Sequence, residues 1–256
     1  LDWRGDVPLS LDGFSEVDGL IVCKLTSLDF SGIVPEDGAM GFADALGEYF
    51  KRFGEEDRRL GVLLPPGTVT MAKKLLASRR FAGLVIGDYI NRVDGANAEQ
   101  FCALTAFLPD GTRYIAFRGT DDTLAAWRED FNMSSLDAVP AQLDAAAYLT
   151  RAGWRFDGEL RVGGHSKGGN LSVFAAMSAP EELQERLLDV YNFDGPGFRR
   201  SVKNEPGFRR VRDKIRMFVP QHSMVGVLLE NDADYAIVES CETGAAAHNG
   251  FTWQVK

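Results

Sequence analysis

From Gly164 to Gly168 the chain reads Gly-His-Ser-Lys-Gly. That spacing suits one kind of chemistry, attack by an activated serine on an acyl carbon. The flanks give the pentapeptide its meaning. Glu159-Leu160-Arg161-Val162 has the make-up of a strand end, and Leu171-Ser172-Val173-Phe174-Ala175-Ala176-Met177 has the small and apolar residues of a packed helix. A strand that turns directly into a helix holds the serine in a strained conformation, and glycines two residues to either side remove the Cβ atoms that would collide. The new helix then aims free amide N–H groups at the place where an oxyanion forms. The plain alternative is a glycine-rich turn in a chain with 27 glycines.

A serine at its free pKa is a poor nucleophile, so a base and a group that orients the base are required. The chain has three histidines, His165, His222 and His248. His165 adjoins the serine and points its side chain away from it. His222 follows a late strand, and His248 lies in a Gly/Ala-rich stretch where the chain order serine, acid, histidine puts the base. His248 is the preferred base. That order leaves Asp194, Glu230, Asp232, Asp234, Glu239 and Glu242 as acids. Asp194 stands out because Tyr191-Asn192-Phe193-Asp194-Gly195-Pro196-Gly197 sets a carboxylate at the carboxyl end of the next strand, ahead of residues that stop it. Its alternative role is an Asp-Gly turn residue, whereas Asp232 and Asp234 read as a solvated turn. For the oxyanion, the Lys167 amide and Thr120, at the end of Ile115-Ala116-Phe117-Arg118-Gly119-Thr120, are the candidate donors. A plain capped turn explains Thr120 equally well.

Positioning these groups takes a sheet. Leu84–Ile90, Phe101–Leu108 and Tyr114–Phe117 read as antiparallel strands, with turns at Asp94-Gly95 and Pro109-Asp110-Gly111. Thereafter strands near 160–162, 190–193 and 215–219 alternate with helices near 141–152 and from Lys167, which implies parallel strands with crossover helices. Before the meander, Leu20–Leu25 fits helix or strand, Ala39–Phe53 has apolar residues at helical spacing, and Thr70–Ser78 forms a further helix. The expected architecture is a single domain over 1–256 of α/β-hydrolase type, with a mixed, mostly parallel central sheet flanked by helices.

Composition narrows the partners. The 256 residues hold 28 basic and 37 acidic side chains, a net charge of −9, which disfavours nucleic acid and anionic membrane. The basic concentration at Arg199–Lys214 reads as an exposed loop and a solvated helix face. Cys23, Cys102 and Cys241 are odd in number and far apart, so neither a disulfide framework nor a metal site is expected, and buried thiols in a reducing, cytoplasmic compartment are. No apolar run reaches membrane-spanning length and no signal segment opens the chain, although it begins at Leu1 rather than Met.

Several motifs together resemble a known group. Ala116-Phe117-Arg118-Gly119-Thr120, Trp127, Asp130 and Gly164-His165-Ser166-Lys167-Gly168-Gly169-Asn170 resemble class 3 lipases and, more closely, a bacterial family of lipase-like α/β hydrolases. Trp3-Arg4-Gly5-Asp6, Val17-Asp18, Asn192–Gly197 and Val219-Pro220-Gln221 extend the resemblance over nearly the whole chain. It implies Ser166 as nucleophile, Thr120 and Lys167 as oxyanion donors and His248 as base. The acid departs from the pattern. Class 3 lipases place an aspartate after the strand ending at Val219, where this chain has His222-Ser223, and Asp194 one strand earlier is the substitute. The segment 121–140, with Leu124, Trp127, Phe131, Met133 and Leu136, would correspond to a lid, or to a packed helix with an ordinary apolar stripe. His222, Ser223 and Trp127 are candidates for the pocket wall.

The expected activity is hydrolysis of a small-molecule or lipid-like carboxylic ester with an apolar acyl group, through an acyl-enzyme and without metal or organic cofactor. Two rivals stand beside it. One is a catalytically inactive hydrolase-like binding or regulatory module, the other a peptidase, amidase or thioesterase with the same triad. The oligomeric state is not encoded in any feature of the chain.

Overall fold

Eight strands form one sheet in the order in which they occur in the chain. The architecture is that of a computed structural model, which describes residues 1–56, 67–94, 99–120 and 133–255. β1 (Ala39–Gly41), β2 (Val85–Asp94), β3 (Glu99–Phe107) and β4 (Arg113–Phe117) pair antiparallel. From β4 onward the sheet is parallel, through β5 (Leu160–His165), β6 (Leu187–Phe193), β7 (Ile215–Pro220) and β8 (Tyr235–Val238). The strand order never reverses. Right-handed crossovers that all advance in one direction put their helices on one face, and α4 (Pro140–Trp154), α5 (Lys167–Ser178) and α7 (Pro206–Val211) do pack together there, α5 against β4, β5 and β6. A short α6 (Glu181–Arg186) leads into β6. The other face receives α1 (Glu16–Leu25), with α2 (Phe42–Phe53) and α3 (Thr68–Ala77) beyond it.

Each face closes its own core, and the strands divide between them with period two. Cys102, Leu104, Ala106, Tyr114 and Ala116 join the core under α1 and α2, while Phe101, Ala103, Ile115 and Phe117 join the core under α4 and α5. Burial on both faces is why the middle strands read as continuous apolar runs rather than alternating ones. Leu20–Leu25, open between helix and strand in the sequence, is helix. A capping box decides it, in which the Ser15 amide donates to Asp18 Oδ2 at 2.8 Å and the Asp18 amide to Ser15 Oγ at 3.4 Å. Asp18 also forms a buried bidentate pair with Arg80, at 2.6 Å for both Nε–Oδ1 and Nη2–Oδ2. The Arg80 and Ser78 groups donate to the Gly5 carbonyl. The Trp3–Asp6 and Val17-Asp18 motifs are thus parts of one clamp that pins the start of the chain and α1 to the strand region.

Other elements fall close to expectation, with boundary shifts. Ala39–Gly41 is a strand paired with β2, and the helix expected from Ala39 begins only at Phe42. Gly95 and residues 121–132 lie outside the described residues, so the turn at Asp94-Gly95 and most of the expected lid do too. Of the remainder of that segment, Met133 is buried and Leu136 exposed, ahead of α4. The cysteines depart from expectation in one case: Cys23 and Cys102 are buried free thiols, but Cys241 is exposed, in the chain after β8. No helix among the described residues is long and apolar enough to cross a membrane.

Candidate active site

Ser166 is the single residue between β5 and α5, with φ 59° and ψ −133°. A non-glycine residue there carries about 1–3 kcal/mol of strain unless its surroundings fix it. Here they do. The Ser166 amide donates to the Phe193 carbonyl at 2.9 Å, and its carbonyl accepts from the Gly169 amide at 2.8 Å. The two motif glycines are demanded by contact. A Cβ on Gly164 would overlap the Gly168 backbone, and one on Gly168 would overlap the Phe117 carbonyl. Helix α5 starts at Lys167, so its unpaired amides and positive dipole end begin directly at Ser166.

Asp194 stands one residue past β6, fully buried, with φ 53°. The Asn192–Gly197 turn that carries it is built from polar side chains. Asn192 Oδ1 accepts from the Gly195 amide at 2.8 Å, Asn170 Nδ2 donates to the Gly197 carbonyl at 2.8 Å, and Gln142 Nε2 holds Asn170 Oδ1 at 2.7 Å. The carboxylate accepts three hydrogen bonds. Ser223 Oγ at 2.5 Å and the Gly226 amide at 3.0 Å donate to Oδ1, and His248 Nδ1 donates to Oδ2 at 2.6 Å. With Nδ1–H committed to Asp194, a neutral His248 has its basic lone pair on Nε2. His248 closes a 3-10 turn, Gly244–His248, and its side chain is 18% exposed.

The end of β4 completes the arrangement. β4 and β5 run parallel with Phe117 level with Gly164. A Cβ on Gly119 would sit 3.0 Å from Ser166 Cβ, so the chain leading to Thr120 lies directly against the elbow. Thr120, Ser166 and His248 line one cavity of about 40 Å³, together with Cys23, Lys24, Thr26, Ser27, Phe117, Arg118, Gly119 and His165.

The structure therefore brings together Ser166, His248 and Thr120 around one cavity, with Asp194 behind His248 and Lys167 at the start of α5. The Lys167 side chain turns away and is buried, its ammonium donating to the Gln100 carbonyl and Oε1 at 2.9 Å each. His222 is not part of the site. It is exposed, in a left-handed turn after β7 (φ 62°) that carries its ring to solvent, and it lines no wall of this cavity. Ser223, expected in the pocket wall, instead donates to the Asp194 carboxylate. The place where class 3 lipases carry their aspartate thus supplies two donors to a carboxylate that comes from the preceding strand. Trp127 lies outside the described residues. Asp232 is more than a solvated turn residue, since it accepts from Ser201 Oγ and from the Val202 and Lys203 amides.

Three contributors to the site carried no signal that sequence reasoning used. His165 Nε2 lies 2.7 Å from the His248 carbonyl, Lys24 Nζ lies 3.3 Å from His165 Nδ1, and Trp253 Nε1 donates to the Ala247 carbonyl at 2.8 Å. Burial, then the charges of Lys24 and His248, hold His165 well below the usual imidazole range. Burial pulls the Lys24 ammonium down to about 8 and pushes the Cys23 thiol up to about 12.

The family model described as Mbeg1-like matches residues 75–256. No curated protein matches the chain. Among solved structures, M37 lipase is similar over 83% of this chain and 70% of its own, at 13% identity and a TM-score of 0.51. The lipase of Rhizomucor miehei, in its propeptide complex, aligns over 88% of this chain and 69% of its own, at 16% identity and a TM-score of 0.45. The eight-stranded, mostly parallel sheet between two helical layers, and its likeness to M37 lipase, make this an α/β-hydrolase fold.

Proposed function

We propose that this chain, which belongs to the Mbeg1-like family, is a serine hydrolase that cleaves carboxylic esters through an acyl-enzyme. The observation that carries the reading is the pairing, across one small cavity, of a strained elbow serine with a histidine held by the buried Asp194 carboxylate. In this mechanism Ser166 Oγ attacks the ester carbonyl while His248 Nε2 takes its proton. Asp194 holds the Nδ1–H tautomer and stabilises the imidazolium as it forms. The Thr120 and Lys167 amides hold the oxyanion, each worth about 3 kcal/mol of barrier lowering. His248 returns the proton to the leaving alcohol, and water then repeats the attack on the acyl-serine. No step calls on a metal or an organic cofactor.

The cavity shapes the substrate choice. Its volume of about 40 Å³ equals that of roughly three waters on the same measure, and its described lining mixes polar and apolar surface, with Lys24, Thr26, Ser27, Arg118 and Thr120 beside Cys23 and Phe117. A short acyl group fits that recess, which adds a length to the apolar acyl group expected from the sequence. Three cysteines without a disulfide partner favour a reducing, cytoplasmic setting.

Turnover of p-nitrophenyl esters graded from acetate to decanoate, with fluorophosphonate labelling alongside, tests the reading. Labelling of wild type that is lost in Ser166→Ala, with turnover down about 10⁶-fold and greatest in wild type on the shortest esters, is the expected result. A folded wild-type chain that neither labels nor turns over would move the assignment to an inactive binding module, while cleavage of thioesters or amides in preference to esters would redirect it to the sister activities of the same triad.

A further inference from the structure

We infer that His165 and Lys24 are positioning residues that tether the base from behind, an assignment that rests on the hydrolase reading above. A carbonyl oxygen can only accept, so the 2.7 Å contact with the His248 carbonyl requires a hydrogen on His165 Nε2. An ammonium can only donate, so the 3.3 Å contact with Lys24 Nζ requires a lone pair on His165 Nδ1. Together the two contacts define one state of His165, the neutral Nε2–H tautomer. Protonation would place an N–H against an ammonium, and the depressed pKa of His165 agrees with that geometry.

His248 is thereby fixed at two points. Asp194 holds its ring and His165 its main-chain carbonyl, with the two imidazoles 4.6 Å apart at 33°. One residue upstream, Trp253 holds the Ala247 carbonyl. The tether comes from the residue next to the nucleophile, so the elbow that orients Ser166 also sets the place of its base. Lys24 stands behind His165. It sits in the last turn of α1, where the helix dipole favours a cation, it is 6% exposed, and among the described residues no carboxylate pairs with it. Its neighbours are His165, the Phe251 ring 5.7 Å away and the adjacent Cys23. The ionisable groups that share a cavity with it are Cys23, Arg118, His165 and His248 on one side and Asp2, Glu16, Lys74 and Glu239 on the other.

The test uses the full chain with His165→Leu, His165→Gln and Lys24→Met. Glutamine offers an N–H near the position of imidazole Nε2, and leucine offers none. The substrate-free readout is the downfield proton resonance of the His248 Nδ1–H bonded to Asp194. We expect His165→Leu to broaden or lose it and to lower kcat on p-nitrophenyl acetate by about 10- to 100-fold with KM unchanged, and His165→Gln to restore most of both. Removing Lys24 leaves burial to hold His165 down but takes away the donor to Nδ1 that fixes its tautomer, so Lys24→Met should broaden the His248 resonance and lower kcat, by less than His165→Leu does. Retention of resonance and kcat in His165→Leu, or equal losses in Leu and Gln variants, would overturn the tether. If His165→Leu does not fold, a resonance and kcat in Lys24→Met identical to wild type overturn it instead. A wild type without turnover or labelling defeats the hydrolase reading, and the resonance still decides the tether.

Discussion

At the elbow the backbone is held by exclusion: glycines at 164 and 168 stand where any Cβ would overlap main chain, and the residues from Lys167 to Asn170 are buried. Around His248 the chain is partly exposed and held by hydrogen bonds that arrive from far away in sequence. Asp194 comes from the end of β6, His165 from β5, Lys24 behind it from α1, and Trp253 from beyond the turn. The first region tolerates nothing larger. The second tolerates size but depends on partners. A catalytic serine needs a conformation that only steric enclosure enforces, whereas a base needs a tautomer and a direction, which hydrogen bonds supply.

The sharpest way to break the base side is Asp194→Asn. The amide keeps the shape of the carboxylate but presents N–H where His248 needs an acceptor, so the imidazole turns to the wrong tautomer. We expect kcat to fall about 10⁴-fold, with the fold retained because the Oδ1 acceptor for Ser223 and Gly226 survives. Circular dichroism and ester kinetics check both halves. Loss of less than about tenfold would show that another group orients the base.

On the elbow side the matching change is Gly164→Ala. Its Cβ meets the Gly168 backbone, which cannot rotate away as a side chain would. Overpacking against main chain should cost on the order of 3 kcal/mol, read by denaturant unfolding, and should depress labelling of Ser166 with it. An alanine variant as stable as wild type would mean that the elbow opens readily, and the contrast drawn between the two regions would fall.

This contrast also explains what the sequence made legible. The elbow, the parallel strands and the chain order of the proposed triad announce themselves locally, through glycine spacing, apolar runs and chain order, and Asp194 stood out because Gly195 and Pro196 stop its strand. His165, Lys24 and Ser223 were not readable, because their roles are pairwise and long-range: a histidine beside the nucleophile and a lysine in an amphipathic helix look like ordinary residues until the fold sets them 3.3 Å apart. His222 misled for the same reason. Its place after β7 was right for a pocket residue, but a left-handed turn, invisible in the residue types, sends it to solvent.

Lys24 sharpens the comparison on the stability axis. Its ordinary pKa of 10.5 falls to about 8 in the fold because burial penalises the ammonium. Between those values the unfolded chain binds a proton that the folded chain does not, so stability rises with pH from about 8 to 10.5 and the charged lysine costs stability below that window. Lys24→Met should therefore unfold at higher denaturant than wild type at pH 7, and the advantage should shrink as the pH climbs through the window. A gain in stability joined to a loss in turnover is the signature of a group kept for the site rather than for the fold. A Lys24→Met advantage that does not change with pH would remove the buried charge from the account.

The smallest effect is expected at Gly244, four residues before His248. Its φ of 58° is left-handed, yet a Cβ there meets nothing within 4 Å. Gly244→Ala thus pays only the conformational cost, roughly 1 kcal/mol, partly offset by the lower entropy of the unfolded chain. Turnover should be unchanged, since the side-chain hydrogen bonds that place His248 reach its ring, its own carbonyl and the Ala247 carbonyl. Measured beside Gly164→Ala by the same denaturant unfolding, it separates the two causes that can demand a glycine, space and φ. Equal losses at both positions would mean that the base segment is as tightly enclosed as the elbow, and that hydrogen bonding alone does not hold His248 in place.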